Sequence, residues 1–438
     1  MRSFIPLPAG WFDAKVGYEY EVTLGKMIQS SPKGDADIPC CYHKSATIQD
    51  GQLLLPATGM FASKEEINNL RIQTGDLLVC EGGDIGRAAL VEITPEKPVI
   101  IQNSAHRVRP LGAYPTKWLY YVLKFYKYSG LLNVEITGTS TISHFTNEIF
   151  KSMVIPFPPV DIVNKLICIL DSKIKKVDEI IAKRKHQLNA LAAYRESLIN
   201  KTVTKGLDPN VEMKDSGVEW LGFIPAQWHI RKVRGLVDVI TGYPFESQLY
   251  QTSGDFRLLR GINISPDKTK WDDTVFFSIK NNDTQILKKF ILEKGDVLIG
   301  MDRTWIKNGA RVATVSESDL PSLLVQRVAR LRSNGKANVQ YLKYLFQLKG
   351  FELFSSDGET RISVPHISQD QIDNYPIPIP PLETQHEIVD FLDQKIKTVN
   401  KLSELMARSI TLLDEYRSSL ISAAVTGKLN IEEGTHGE

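Results

Sequence analysis

Residues 144–204 and 366–426 are two copies of one segment. Ile155-Pro156-Phe157-Pro158-Pro159 returns as Ile377-Pro378-Ile379-Pro380-Pro381, and Leu170-Asp171-Ser172-Lys173-Ile174-Lys175 returns as Leu392-Asp393-Gln394-Lys395-Ile396-Lys397. Tyr194-Arg195-Glu196-Ser197-Leu198-Ile199 returns as Tyr416-Arg417-Ser418-Ser419-Leu420-Ile421. Every pair is 222 residues apart, with no gap. Chance does not hold one register this long, so the chain folds as two like parts. Upstream the repeat weakens without vanishing. Gly75-Asp76-Leu77-Leu78 matches Gly295-Asp296-Val297-Leu298, Arg107-Val108-Arg109 matches Arg330-Leu331-Arg332, and Trp118-Leu119 matches Tyr341-Leu342. Pro8-Ala9-Gly10-Trp11 resembles Pro225-Ala226-Gln227-Trp228. The offset drifts, as loop insertions cause.

The strongly repeated segments read as long helices. A Pro-Pro pair precedes each one, where a fixed φ and a missing donor suit a helix start. Asp161 and Glu383 then put negative charge in the first turn, where the helix dipole favours it. From 161 to 203 and from 383 to 425 there is neither proline nor glycine. Val163, Ile167, Leu170, Ile174, Val177, Ile181, Leu188, Leu191 and Leu198 keep a 4-3 spacing, as do Val389, Leu392, Ile396, Val399, Met406, Ile410, Leu413 and Leu420. Such a heptad seam cannot be buried by one helix alone, so the two copies are expected to bury each other as a coiled coil. Arg184, Arg195, Gln385, Ser403 and Arg417 interrupt the seam; polar residues there lower stability and can fix register. Tyr194-Arg195 and Tyr416-Arg417 are candidate partner-docking residues, although an arginine stem lying along the coiled-coil end is the weightier reading. A duplicated unit pairs by a pseudo-two-fold, which makes the helices antiparallel. Duplex DNA has two-folds of its own, so the geometry suggests two readers held at a set separation.

The lobes between the helices, about 150 residues each by the repeat, read as mixed α/β. Expected strands are 19–24, 76–80, 88–92, 99–102, 296–299, 311–315 and 323–331, with one amphipathic helix per lobe at 116–128 and 339–348. Arginine reads guanine, and asparagine or glutamine reads adenine, through paired hydrogen bonds in the major groove. On that chemistry and the internal alignment, the candidate DNA contacts are Arg87, Gln102, Asn103, Arg107, Arg109, Arg311, Gln326, Arg327, Arg330 and Arg332. Thr139, Ser140 and Arg361 are added as candidate phosphate grips, and Lys307 as a further candidate DNA contact. For the arginines, pairing with surface carboxylates or touching only phosphate is an equally weighted alternative. The run Gly82 to Arg87 is better read as a turn than as a phosphate cradle, and Trp305 either stacks or packs in the core. His144 and His366 recur before the last strand of each lobe, and a structural tie outweighs a catalytic role because no acid recurs beside both.

Composition excludes several classes. With 53 Lys+Arg, 51 Asp+Glu, 42% hydrophobic and 24% charged residues, the chain is an ordinary globular protein whose basic surface must be local. No apolar run is long enough to span a bilayer, and the N-terminus does not read as a signal peptide. Cys40, Cys41, Cys80 and Cys168 lack C-x-x-C spacing, so no metal site is expected and a reducing, cytoplasmic setting follows. No nucleotide-binding P-loop, dinucleotide fingerprint, zinc-protease motif, nucleophile elbow or Asn-Pro-Pro-aromatic methyltransferase motif is present, so no catalytic residue is assigned and the chain reads as a scaffold and reader.

Asp215-Ser216-Gly217-Val218-Glu219-Trp220-Leu221-Gly222-Phe223-Ile224-Pro225-Ala226-Gln227-Trp228 resembles a signature of the specificity (S) subunits of type I restriction–modification enzymes. So do the junctions at 155–159 and 377–385 and the helix ends at 194–207 and 416–429. The resemblance implies an α+β chain: two mixed α/β target recognition domains separated by a pair of long antiparallel coiled-coil helices, in a pseudo-two-fold repeat. The corresponding division is 1–158 (first recognition domain), 159–207 (first spacer helix), 208–381 (linker and second recognition domain), 382–430 (second spacer helix) and 431–438 (tail). It also implies a non-catalytic subunit that binds double-stranded DNA and docks two methyltransferase subunits, with restriction subunits in the full complex. No cofactor is expected on this chain; S-adenosylmethionine belongs to the methyltransferase, and ATP and magnesium to the restriction partner. The low net charge implies weak DNA binding by the isolated chain. The alternative is a DNA-binding adaptor of the same architecture in another defence system or an orphan methylation complex.

Overall fold

The computed structural model describes residues 6–136, 145–278, 284–306, 309–356 and 366–431. The chain divides into two compact units, residues 1–185 with 407–438, and residues 186–406. Each unit therefore takes one α/β lobe and part of each long helix.

In the first unit the order is β1 (Phe12–Lys15), β2 (Tyr20–Leu24), β3 (Asp37–His43), β4 (Ala57–Ser63), β5 (Leu77–Cys80), β6 (Ala88–Leu90), β7 (Val99–Ile101), β8 (Ala105–Pro110), α1 (Thr116–Tyr128), β9 (Val154–Phe157) and the start of α2 (Val160–Lys205). A four-stranded antiparallel sheet runs β2-β8-β5-β6. A smaller sheet runs β4-β3-β7, with β3 and β7 parallel, and β1 pairs with β9. The β5 sequence is apolar throughout because both of its faces are covered. Leu77 and Val79 join the core beneath α1, while Leu78 and Cys80 pack with Ile48, Val99 and Ile101. Helix α1 buries Trp118, Leu119, Val122 and Tyr126, the stripe of an amphipathic helix. Its Trp118 Nε1 donates to Pro156 O at 2.9 Å and Tyr126 Oη to Val154 O at 2.9 Å, which fixes α1 to the strand that leads into α2.

The second unit repeats this plan: β10 (His229–Lys232), β11 (Val237–Thr241), β12 (Phe256–Leu259), β13 (Phe276–Phe277), β14 (Val297–Gly300), β15 (Val312–Thr314), β16 (Ser322–Leu324), β17 (Val328–Ser333), α3 (Val339–Phe346), β18 (Pro376–Ile379) and α4 (Leu382–Val425). Its sheets run β11-β17-β14-β15 and β13-β12-β16, again with one parallel pair, and β10 pairs with β18. Tyr121 donates to Asp171 at 2.6 Å in the first unit, and Tyr344 donates to Asp393 in the second, so each lobe helix is tied to its long helix by the same bond.

The long helices pair antiparallel within each unit. In the first unit Val163, Leu166 and Leu170 of α2 share a core with Leu420, Ile421, Ala424 and Val425 of α4. In the second, Ile199 and Val203 of α2 share a core with Ile388, Val389, Leu392 and Ile396 of α4. The polar seam residue Gln385 fastens the start of α4 to the lobe, since its Nε2 donates to Pro380 O at 2.9 Å and its Oε1 accepts from Asn338 N at 2.8 Å.

The sequence reading needs one correction in the strands. The single strand expected over 323–331 is two strands, β16 and β17, which belong to different sheets. Gln326 is exposed and Arg327 takes φ +64°, outside the extended region, so the chain turns between them. Strands β1, β3, β4, β10, β11, β12 and β13 are among those outside the expected set. Several are short or carry proline and charged residues, and β3 is bulged between Cys40 and Tyr42, so a clean alternation is absent.

Candidate nucleic-acid interface

One end of each four-stranded sheet gathers polar loops, half-buried at Gln102–Ser104 and exposed at Gln326 and Arg327. In the first unit β5 ends and β8 begins there, and the turn Gln102-Asn103-Ser104 is held by Asn103 N to Lys26 O and Glu81 N to Ser104 O, both 2.9 Å. Gly25 lets the chain pass this turn: a Cβ on it would stand 2.4 Å from the Gln102 carbonyl. Gly242 does the same in the second unit, where a Cβ would stand 2.1 Å from Val325 O. Neither glycine stands out in the sequence, although the two occupy matching places after β2 and β11.

Arg87, Gln102 and Asn103 come together at this end of the first unit. Arg87 Nη2 donates to Ser45 O at 2.7 Å. Gln102 Nε2 donates to Asn103 Oδ1 at 2.6 Å, and Ser104 Oγ donates to Gln102 Oε1. Ser45 and Ser104, which hold the turn through two further bonds at 3.0 and 2.7 Å, carry no sequence signal beyond their type. Arg311, Gln326 and Arg327 come together in the second unit. Arg311 lies across the loop, its Nε 3.1 Å from Ile264 O and its Nη1 2.9 Å from Asp302 O; burial pulls its pKa down. Gln326 is exposed. Arg327 Nη1 pairs with Asp302 Oδ2 at 2.8 Å, and His366 Nδ1 lies 2.7 Å from Asp302 Oδ1. Burial opposes the charge on Asp302, but the bonds from Arg327 and His366 outweigh it and hold this carboxyl below the usual range. Arg303, an exposed residue at φ +46°, joins the cluster and carries no signal in the sequence.

Four arginine candidates must be corrected. Arg107, Arg109, Arg330 and Arg332 lie toward the other end of their sheets and serve the fold. Arg107 is 2% exposed, and its Nη1 donates to Asn69 O at 2.7 Å and Arg71 O at 3.0 Å. Arg330 is 5% exposed, with Nη1 on Lys289 O at 3.2 Å. Burial lowers the pKa of both. Arg109 forks onto the buried Asp76 and Arg332 onto the buried Asp296. A guanidinium spent in this way cannot reach a base edge without stranding a buried acceptor.

The docking pairs divide likewise. Tyr194 and Tyr416 are exposed, at 53% and 49%. Arg195 is ion-paired with Asp267, and Arg417 lies 2.7 Å from both Asp178 and Asp414, so both arginines are engaged within their units. Trp305 packs against Phe351 with ring centroids 5.6 Å apart, the core reading. Thr139, Ser140, His144, Lys307 and Arg361 lie outside the described residues. Among the described residues no group of three His, Cys, Asp or Glu is placed to hold a metal ion, and no helix is long and apolar enough to cross a membrane.

Comparison with known proteins agrees with this architecture. Residues 45–190 and 225–407 match the family described as type I restriction modification DNA specificity domain. The MjaVIII type I restriction enzyme specificity subunit of Methanocaldococcus jannaschii is 24% identical over 316 residues, covering 72% of this chain and 70% of that protein. The EcoAI specificity subunit of Escherichia coli is 31% identical over 202 residues, 46% of this chain and 34% of that protein. Among solved structures, a chain from work on complex assembly and conformational transition of the type I R-M system superposes with a TM-score of 0.72 at 17% identity, covering 97% of this chain and all of that one. The HsdS subunit of Thermoanaerobacter tengcongensis gives 0.53 at 18% identity, covering 98% of this chain and all of that one. A duplicated α/β lobe, paired long helices and a family match to each copy lead to one conclusion: the chain belongs to the type I restriction–modification DNA specificity family, the sequence-recognition subunits of these systems and not their catalysts.

Proposed function

We propose that each lobe reads one half of a bipartite duplex DNA site, and that the long helices set the gap between the halves and dock two methyltransferase subunits. The observation that carries this reading is the duplication of the loop cluster: each unit has its own sheet end with arginine or carboxamide groups at matching turns. The side chains differ between the copies, as an asymmetric site requires. Exposed Tyr194, Leu402 and Leu405 in the second unit, and Tyr416 and Leu412 in the first, give the helices of each unit apolar positions for a partner. On this reading the methyltransferases bring S-adenosylmethionine and act on adenine. Restriction subunits that use ATP and magnesium complete a nuclease, and the work takes place on cytoplasmic DNA. With a net charge of +2, this chain has few phosphate contacts to give, and the partners supply the rest.

The reading is tested by expressing the chain with its partner methyltransferase in a host lacking other adenine methylation and mapping the modified bases. The expected result is one motif with two specified halves and a fixed unspecified gap. Methylation at a continuous short motif, or with no motif, overturns the reading.

A further inference from the structure

The turns before β8 and β17 are equivalent by their hydrogen bonds. Asn103 N bonds to Lys26 O as Gln326 N bonds to Tyr243 O, each at 2.9 Å, and Glu81 N bonds to Ser104 O as Met301 N bonds to Arg327 O, at 2.9 and 3.0 Å. Arg327 thus stands where the first unit has Ser104. Ser104 is tied down by Ser45, whereas the Arg327 side chain is 65% exposed. Arg327 also takes a left-handed φ of +64°, a conformation that a side-chain-bearing residue rarely adopts.

Its guanidinium is not left to wander. Nη1 is held by Asp302, and Asp302 is held in turn by His366, a backbone bridge to the same residue, and the Ile367 N to Met301 O bond of 2.8 Å beside it. One edge of the planar fork is occupied. The other edge, Nε and Nη2, has no partner among the described residues. Two parallel N–H groups on a fixed plane match the O6 and N7 acceptors of guanine. Holding the plane beforehand removes part of the ordering cost of binding.

We propose that Arg327 is the guanine-reading residue of the second unit and that Asp302, backed by His366, is its positioning residue. The assignment rests on the proposed reading of DNA by this unit and names the base class it takes. At the matching turn the first unit carries the carboxamides of Gln102 and Asn103 and, in place of Arg327, Ser104.

The test uses the full chain with its methyltransferase, on duplexes that carry single-base replacements at each position of the mapped site. Wild type, Arg327→Ala, Arg327→Lys, Asp302→Asn and, as a first-unit control, Asn103→Ala are compared, with melting curves to confirm folding. Arg327→Ala is expected to lose about tenfold in discrimination at one G·C pair of one half-site. Lysine, lacking the fork, does not restore it. Asp302→Asn weakens discrimination at that same pair and nowhere else, which a merely structural role would not do. Asn103→Ala leaves that half-site untouched. Equal loss on every duplex with a shallower salt dependence makes Arg327 a phosphate contact and overturns the assignment, and an unchanged profile reduces the pair to a surface ion pair. A wild-type complex without a two-part site overturns the reading of the whole chain, and the Arg327 assignment with it.

Discussion

Arg332 grips Asp296 through two parallel bonds, Nε to Oδ1 at 2.7 Å and Nη2 to Oδ2 at 2.6 Å. The carboxylate is buried and also accepts Glu293 N at 2.8 Å. Arg109 and Asp76 repeat the arrangement, with Gln73 N in place of Glu293 N. In each unit this clamp closes the sheet end opposite the polar loops. Arg332→Ala or Arg109→Ala strands a buried charge and is expected to cost about 3–5 kcal/mol. Urea denaturation measures this. Methylation by the folded fraction keeps its motif; a changed motif would return these arginines to base reading.

His106 sets a pH dependence. It is fully buried, its Nε2 lies 2.7 Å from Phe145 O, and its Nδ1 has no partner. Burial is the main cause that pushes its pKa down, and His43 is pushed the same way. Between the folded value and the ordinary one of about 6.5, the unfolded chain binds more protons. Stability is therefore full above the ordinary value and falls as pH drops below it. Urea midpoints are expected to decline from about pH 7.5 to about pH 5.5, a window that brackets the ordinary value, and His106→Gln to flatten part of that slope. An equal slope in the variant contradicts the assignment.

Gly25 and Gly242 set how closely the chain passes the turns before β8 and β17. An added Cβ would overlap the backbone of residue 102 or 325, so alanine at either site is expected to cost about 1–3 kcal/mol. Mapped methylation gives the sharper readout. Gly25→Ala blurs one half-site and Gly242→Ala the other; an identical effect on both halves would count against independent readers.

The helices test the ruler. Residues 160–185 pack with 407–425 in one unit, and 186–205 with 382–406 in the other. Seven residues inserted in α2 alone break one of these pairings. Insertion in both helices, between Lys185 and His186 and between Met406 and Ala407, keeps both. At about 1.5 Å per residue the double insertion adds about 10 Å, near three base pairs. The mapped gap is expected to lengthen accordingly; an unchanged gap refutes the ruler.

What was legible in the chain followed from periodicity. The repeat of 222 residues, the Pro-Pro helix starts and the 4-3 seam identified two lobes and two antiparallel helices, because burying a long apolar stripe has few solutions. Helix α1 and strand β5 were legible for the same reason: one shows a stripe, the other an unbroken apolar run.

The individual arginines were not legible. Arg107, Arg109, Arg330 and Arg332 have the same side chain as Arg327, and nothing local says which will meet a buried aspartate and which will meet solvent. That depends on Asp76 and Asp296, which lie more than thirty residues away along the chain, and on Asp302 at the opposite end of the sheet. Sequence alone determined the duplicated architecture, since local apolar spacing dictates which elements must pack. The tertiary structure alone decided which charges are consumed by the fold and which stay free to act, since a guanidinium's role is set by the partners that distant strands bring to it.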